Sequence, residues 1–199
     1  MRSTALAVLA VLFSTAEVRA GSAMAKLSSV VDGNTLNVTL RGAAVKVRMH
    51  GVVVPPADET RPILHQLNVE SVAFLKKYLN DGWVYLEFPD GSPKTDADGY
   101  IPAFVYRGND AVFLNEKLVA AGLAIVNRKE QNTFTEKWKS LQENAISAEV
   151  GMWGSFEGGG GKEIAAGAAQ GNYIGVPGAT MQRRYSGPAY FRTWIFLYY

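Results

Sequence analysis

Val30-Val31-Asp32-Gly33-Asn34-Thr35, followed shortly by Val45-Lys46-Val47-Arg48-Met49-His50-Gly51-Val52, is the stretch on which the fold turns. Asp32-Gly33-Asn34 separates two short β-rich runs, Lys26–Val31 and Thr35–Leu40, which is the pattern of a tight hairpin. Ala44–Val54 continues as a third strand. Its Val45, Val47 and Met49 alternate with Lys46, Arg48 and His50, giving one buried and one polar face. Pro55-Pro56 ends it, because proline has no N–H to donate to a strand ladder.

Working outward, a loop leads to Asn68, an N-cap residue type for a helix running to Leu79. Val72, Leu75 and Leu79 line one face of that helix, and Asp81-Gly82 stops it. Trp83–Phe88 and Tyr100–Tyr106 read as two more strands around a polar turn, Pro89–Gly99. Leu114–Ala121 is a short helix closed by Gly122. A last helix opens on Thr133-Phe134-Thr135-Glu136, the spacing of a capping box, and carries Trp138, Leu141 and Ala145 inward toward an end near Gly151. Five strands, with one helix after the third and two at the end, is the order of a five-stranded OB barrel with three helices.

The flanks differ from this block. Residues 1–24 hold Arg2, an unbroken apolar run over Ala5–Phe13 and a small-residue site at Val18-Arg19-Ala20, as in a secretory signal peptide. The run is too short to span a bilayer unaided. A removed targeting peptide and a retained anchor or docking helix both fit. Gly158–Gly161 is a flexible linker. Beyond it, residues 162–199 hold eight of the 22 aromatic residues, six of them in the last ten positions: Tyr190, Phe191, Trp194, Phe196, Tyr198 and Tyr199. A disordered tail would be poor in aromatics; apolar surface on this scale either folds back on its own barrel or, the favoured reading, docks onto other subunits or a membrane surface.

Charge and cysteine content narrow the classes. Residues 25–157 carry 14 Lys and Arg against 16 Asp and Glu, whereas the tail sets Lys162, Arg183, Arg184 and Arg192 against Glu163 alone. The central block therefore lacks the positive surplus from which nucleic-acid affinity comes, and no strong nucleic-acid binding is expected. With no cysteine in the chain, disulfides and thiolate metal sites are excluded.

Residues 25–157 as a whole resemble the staphylococcal nuclease family. The resemblance rests on the two stretches quoted first, on Ser71-Val72-Ala73-Phe74-Leu75-Lys76-Lys77-Tyr78-Leu79, on Ala103-Phe104-Val105-Tyr106, on Asn115-Glu116-Lys117-Leu118-Val119-Ala120-Ala121-Gly122-Leu123-Ala124 and on Gly151-Met152-Trp153. It implies an OB barrel, and active members are calcium-dependent phosphodiesterases acting on DNA or RNA. Such chemistry needs hard oxygen ligands, a carboxylate to activate water, and two arginines on the phosphate.

By this resemblance the two metal-binding aspartates fall on Asn34 and Val53, the base on Pro56, and the arginines on Arg48 and Tyr100. Four of five positions depart. Valine offers a metal nothing, proline accepts no proton, and tyrosine is ordinarily neutral at pH 7. Asp58 and Glu59 lie close enough in sequence that a rearranged loop could bring one near. Arg48 fits either a vestigial phosphate-binding role or a salt bridge. His50 and His65 have no metal-ligand spacing, and Asp96-Ala97-Asp98-Gly99 lacks the downstream glutamate of a calcium loop, so it reads as a solvated turn.

The expectation is a pseudoenzyme with no catalytic residue, no metal and no cofactor. It would be an accessory or structural subunit of a larger, membrane-associated complex, at the mitochondrial inner membrane or another organellar membrane, with subunits docking through the tail and the N-terminal segment. The alternatives are a phosphate or nucleic-acid binding module using Arg48, and a secreted calcium-dependent nuclease. The signal-like start supports the last of these and the site opposes it.

Overall fold

The structure, a computed structural model, describes residues 21–80 and 82–154. The first twenty residues, the Gly158–Gly161 linker and the aromatic docking positions Tyr190, Phe191, Trp194, Phe196, Tyr198 and Tyr199 lie outside the described residues.

The chain runs β1 (Ser22–Asp32), β2 (Thr35–Leu40), β3 (Ala43–Met49), β4 (Val52–Val53), α1 (Pro62–Tyr78), β5 (Trp83–Glu87), β6 (Ile101–Arg107), α2 (Leu114–Ala120), β7 (Ile125–Val126) and α3 (Thr135–Ser147). Five strands close a barrel in the order β1-β2-β3-β6-β5. Closure is possible because β1 serves two partners. Its first half pairs with β5, Ser22 opposite Glu87 through Lys26 opposite Trp83, and its second half pairs with β2. Register irregularities between Leu27 and Ser29 and between Val30 and Asp32 bend it between the two. On the other side β3 and β6 pair in parallel, Val47 opposite Ile101. Three residues that the sequence assigned to the N-terminal segment, Ser22 to Met24, therefore belong to the barrel.

The alternation read from the sequence is the alternation of burial. Leu36, Val38, Val47, Met49, Val84, Leu86, Ala103 and Val105 fill the interior, while Leu64, Leu67 and Leu75 of α1, Leu114 and Leu118 of α2, and Trp138 and Ala145 of α3 cover it. Buried amides then fasten the helices to the sheet. Asn115 accepts from the Val105 N–H and donates to the His50 carbonyl, both at 2.9 Å. Gln142 accepts from the Val126 N–H at 2.8 Å.

Three local expectations are corrected. First, α1 starts at Pro62, not after Asn68. Proline suits the first turn because that N–H has no helical partner. Asn68 is buried mid-helix and donates to the Pro55 carbonyl at 2.6 Å, holding the preceding loop. Second, the third strand does not run through to Val54. It stops at Met49, and Val52-Val53 pair instead with Ile125-Val126. Third, the capping box does not form. The Phe134 N–H donates to Asn132 Oδ1 at 2.8 Å and the Asn132 N–H to Thr135 Oγ1 at 2.9 Å, so an asparagine turn leads into the helix, whose N-cap position Phe134 offers no side-chain cap. Glu136 meets Lys139 instead.

The break in the third strand has one cause. Gly51 sits at φ +76°, and a Cβ there would lie 2.5 Å from the Asn132 amide and 2.8 Å from the Trp138 ring. Gly42, at φ +85°, has open space around it. Gly51→Ala should cost about 2–4 kcal/mol, combining a disfavoured backbone region with overpacking. Gly42→Ala should cost only about 1–2 kcal/mol, the backbone contribution. Urea unfolding of the two variants checks this, and equal losses would show that Trp138 and Asn132 yield freely.

Candidate functional site

The polar face of β3 points Lys46 and Arg48 toward the loop before β6, and this loop is built to meet them. Asp96 Oδ1 accepts from the Asp98 and Tyr100 N–H groups at 3.0 and 2.9 Å, and the Asp96 N–H donates to the Tyr100 carbonyl at 2.7 Å. Gly99, at φ +85°, completes the turn. The turn is thus held by its backbone and by Asp96 Oδ1, while Asp96 Oδ2 and the Asp98 carboxylate remain for other partners.

Those oxygens face Arg48. Arg48 Nη1 lies 3.1 Å from Asp98 Oδ2 and 3.7 Å from Asp96 Oδ2. The guanidinium carbon sits 3.8 Å from the centroid of the Tyr100 ring, with the Lys46 ammonium 5.9 Å from the same ring. Arg48 is therefore engaged along its edge by carboxylates and on a face by an aromatic ring. Burial opposes its charge, but the hydrogen bonds to Asp98 and Tyr100 and the field of Asp96 outweigh that, and its pKa is raised. The Asp96–Gly99 stretch is thus more than the solvated turn that the sequence suggested. Its local hydrogen bonding is written in the Asp-x-Asp-Gly pattern; its pairing with a strand fifty residues earlier is not.

The remaining positions hold neutral groups. Asn34 donates its amide to the Val52 carbonyl at 3.1 Å, and its backbone N–H is fixed by Asp32 at 2.9 Å. Val53 lies in the short β4–β7 pairing, and Pro56 is exposed. Glu59 is engaged by Arg61. It accepts from the Arg61 backbone N–H at 3.0 Å and from Arg61 Nε at 2.8 Å. These bonds hold its carboxyl at about 2, well below the usual carboxylate range. Asp58 is exposed on the same loop.

His65 is exposed on α1. His50 packs edge-on against Phe104, with Nδ1 3.3 Å from Glu130 Oε2. Among the described residues no three His, Asp or Glu side chains gather as a metal would require. A groove of about 530 Å³ does lie beside the cleft. It is lined by Ser28, Asn37, Lys46, Thr95 and Gly99 among others, so Lys46 is its sole charged group.

A mixed five-stranded barrel with α1 after the third barrel strand, α2 and α3 at the end, and an arginine on β3 facing the β5–β6 loop is the frame of a nuclease-type domain. The model of the family described as Staphylococcal nuclease homologue matches residues 46–155, and the chain belongs to that family. The Thermonuclease of Staphylococcus hyicus is 28% identical over 129 residues, covering 64% of this chain and 74% of that protein. An uncharacterized protein of Methanocaldococcus jannaschii is 27% identical over 150 residues, covering 64% of this chain and 70% of its own length. An uncharacterized protein of Bacillus anthracis is 26% identical over 130 residues, and the match spans 59% of it.

The Glu59–Arg61 contact has a pH signature. Glu59 is the depressed-acid case: its contribution to stability is complete above its ordinary value of 4.5 and is lost as pH falls toward 2. The melting temperature of Glu59→Gln should fall below that of the parent at pH 6, and the gap should narrow to nothing near pH 2. A gap that stays constant across this range would show that the ion pair does not set the acid limb.

Proposed function

We propose that this chain is a catalytically silent member of its family, serving as a non-enzymatic accessory subunit. The observation that carries the proposal is the engagement of Arg48 by Asp96, Asp98 and Tyr100. Where the family resemblance puts a second arginine, this chain has a ring on which the first one stacks. Where it puts carboxylates for a metal and for water, the chain has an amide already donating to a carbonyl, a valine and a proline.

Magnitudes support silence over reduced activity. A missing general base costs about 10²–10⁴ in rate, and a missing charge stabiliser about 10²–10³. Such losses compound with the loss of both metal-binding carboxylates. The full chain should give no calcium-dependent cleavage of DNA or RNA at any pH. Asn34→Asp should not restore it, because Val53, Pro56 and Tyr100 still lack the needed groups. Cleavage by the unmodified protein that a chelator abolishes would sink this reading.

The accessory role rests on the flanks. Among the described residues no helix is long and apolar enough to cross a membrane. The aromatic sequence Tyr190-Phe191-Arg192-Thr193-Trp194-Ile195-Phe196-Leu197-Tyr198-Tyr199 supports docking to other subunits of a membrane-associated assembly, the mitochondrial inner membrane or another organellar membrane being the proposed place. At about 25 cal/mol per Å² of apolar surface, burying several such rings favours association by many kcal/mol before ordering costs. Deleting residues 162–199 should leave the barrel's unfolding midpoint unchanged and abolish co-purification with partner chains. Unfolding of the truncated protein would place the tail in the barrel's own core and remove the support for docking.

A further inference from the structure

We infer that Asp96 and Asp98 act as a built-in anionic occupant of Arg48, closing the cleft to external phosphate, and that neutralising them opens it. The inference rests on the catalytically silent reading and adds a second layer to it: the cleft is filled electrostatically as well as stripped of catalytic groups.

Three features carry it. The carboxylates meet the guanidinium where a phosphate oxygen would, at its N–H edge, with Asp98 at 3.1 Å and Asp96 at 3.7 Å. Asp96 is held there by structure, since its Oδ1 caps the Asp98 and Tyr100 N–H groups and so fixes where Oδ2 points, and the same bond fixes the backbone from which Asp98 reaches Arg48. An internal anion on a preformed turn pays no association entropy and outcompetes a dissolved one. Lastly, Arg48 is not sealed from solvent, with 34% of its side chain exposed, and Lys46 stands over the same Tyr100 ring. Two cations over one ring, one of them lining an open groove, would attract an anion if the two carboxylates did not cancel them.

The substitutions that test this preserve the turn. Asparagine at position 96 keeps the oxygen that accepts from the two N–H groups, and Asp98, 71% exposed, contributes its side chain only to Arg48 among the contacts described. The full chain, Asp96→Asn/Asp98→Asn, and the same double variant carrying Arg48→Ala are titrated with inorganic phosphate at low ionic strength. Binding is followed through the arginine side-chain resonances. Asp98→Ala alone serves if the double variant does not fold.

The expected result is phosphate binding about tenfold tighter in the double variant than in the parent, as removal of two part-exposed ion pairs allows. The gain should be lost with Arg48→Ala and weakened by added salt. No gain, or a gain that survives Arg48→Ala, would overturn the inference. Failure of the underlying reading shows separately, as calcium-dependent cleavage by the unmodified chain.

Discussion

The corner at His50-Gly51 is the place on which the rest of the structure depends. There β3 leaves the barrel, and the backbone groups of the two residues are claimed by β6, by α2 and by the loop between β7 and α3. The His50 N–H donates to Ala103 on β6 at 2.8 Å, and the His50 carbonyl accepts from Asn115 on α2 at 2.9 Å. The Gly51 N–H donates to Glu130 at 2.8 Å, and its carbonyl accepts from Asn127 at 2.9 Å. Trp138 of α3 packs against the space a side chain would fill. A buried backbone group without a partner costs free energy comparable to a lost hydrogen bond, so a strand, a helix and a loop are positioned by the need to satisfy one turn, and α3 by packing against it. The aromatic cluster of Phe104, Phe113, Phe134 and Trp138 surrounds the same corner.

The barrel's stability and the Arg48 cluster draw on separate residues. The cleft residues Arg48, Asp96, Asp98 and Tyr100 lie on the outer face of β3 and on a loop, outside the hydrophobic interior. Exchanging charge for neutrality there leaves the core untouched. The acidic turn even supplies a partner for the arginine that persists, so the part-buried cation is not left uncompensated.

How much could be read beforehand follows from which forces are local. The strand alternation at Val45, Val47 and Met49, the Asp32-Gly33-Asn34 turn and the three helices were legible because period and turn chemistry are local properties. Asn68 and Thr133 misled because both are capping residue types. One was used instead to pin Pro55, and the other gave way to a turn built on the neighbouring Asn132. The end of β3 was hidden because Gly51 bends only in response to what surrounds it. At the positions that the family resemblance marks, the neutral residues Asn34, Val53, Pro56 and Tyr100 were legible, and a salt bridge was among the readings open for Arg48. Its partners Asp96 and Asp98 were not, since charges distant in sequence show no pattern between them.

The double pairing of β1 has a consequence for how the molecule is made. The β1–β2–β3 meander joins neighbours in sequence and can form as soon as those residues exist. Closure by β5 and β6 waits for the whole of α1 and the strands after it, and contacts that distant set a slow pace. Until then β1 and β3 present unpaired edges, the condition under which chains add to one another. Lysine is the residue that most discourages such addition, and Lys26 and Lys46 stand on those two strands. Lys46 thus guards a half-built sheet before it has any groove to line.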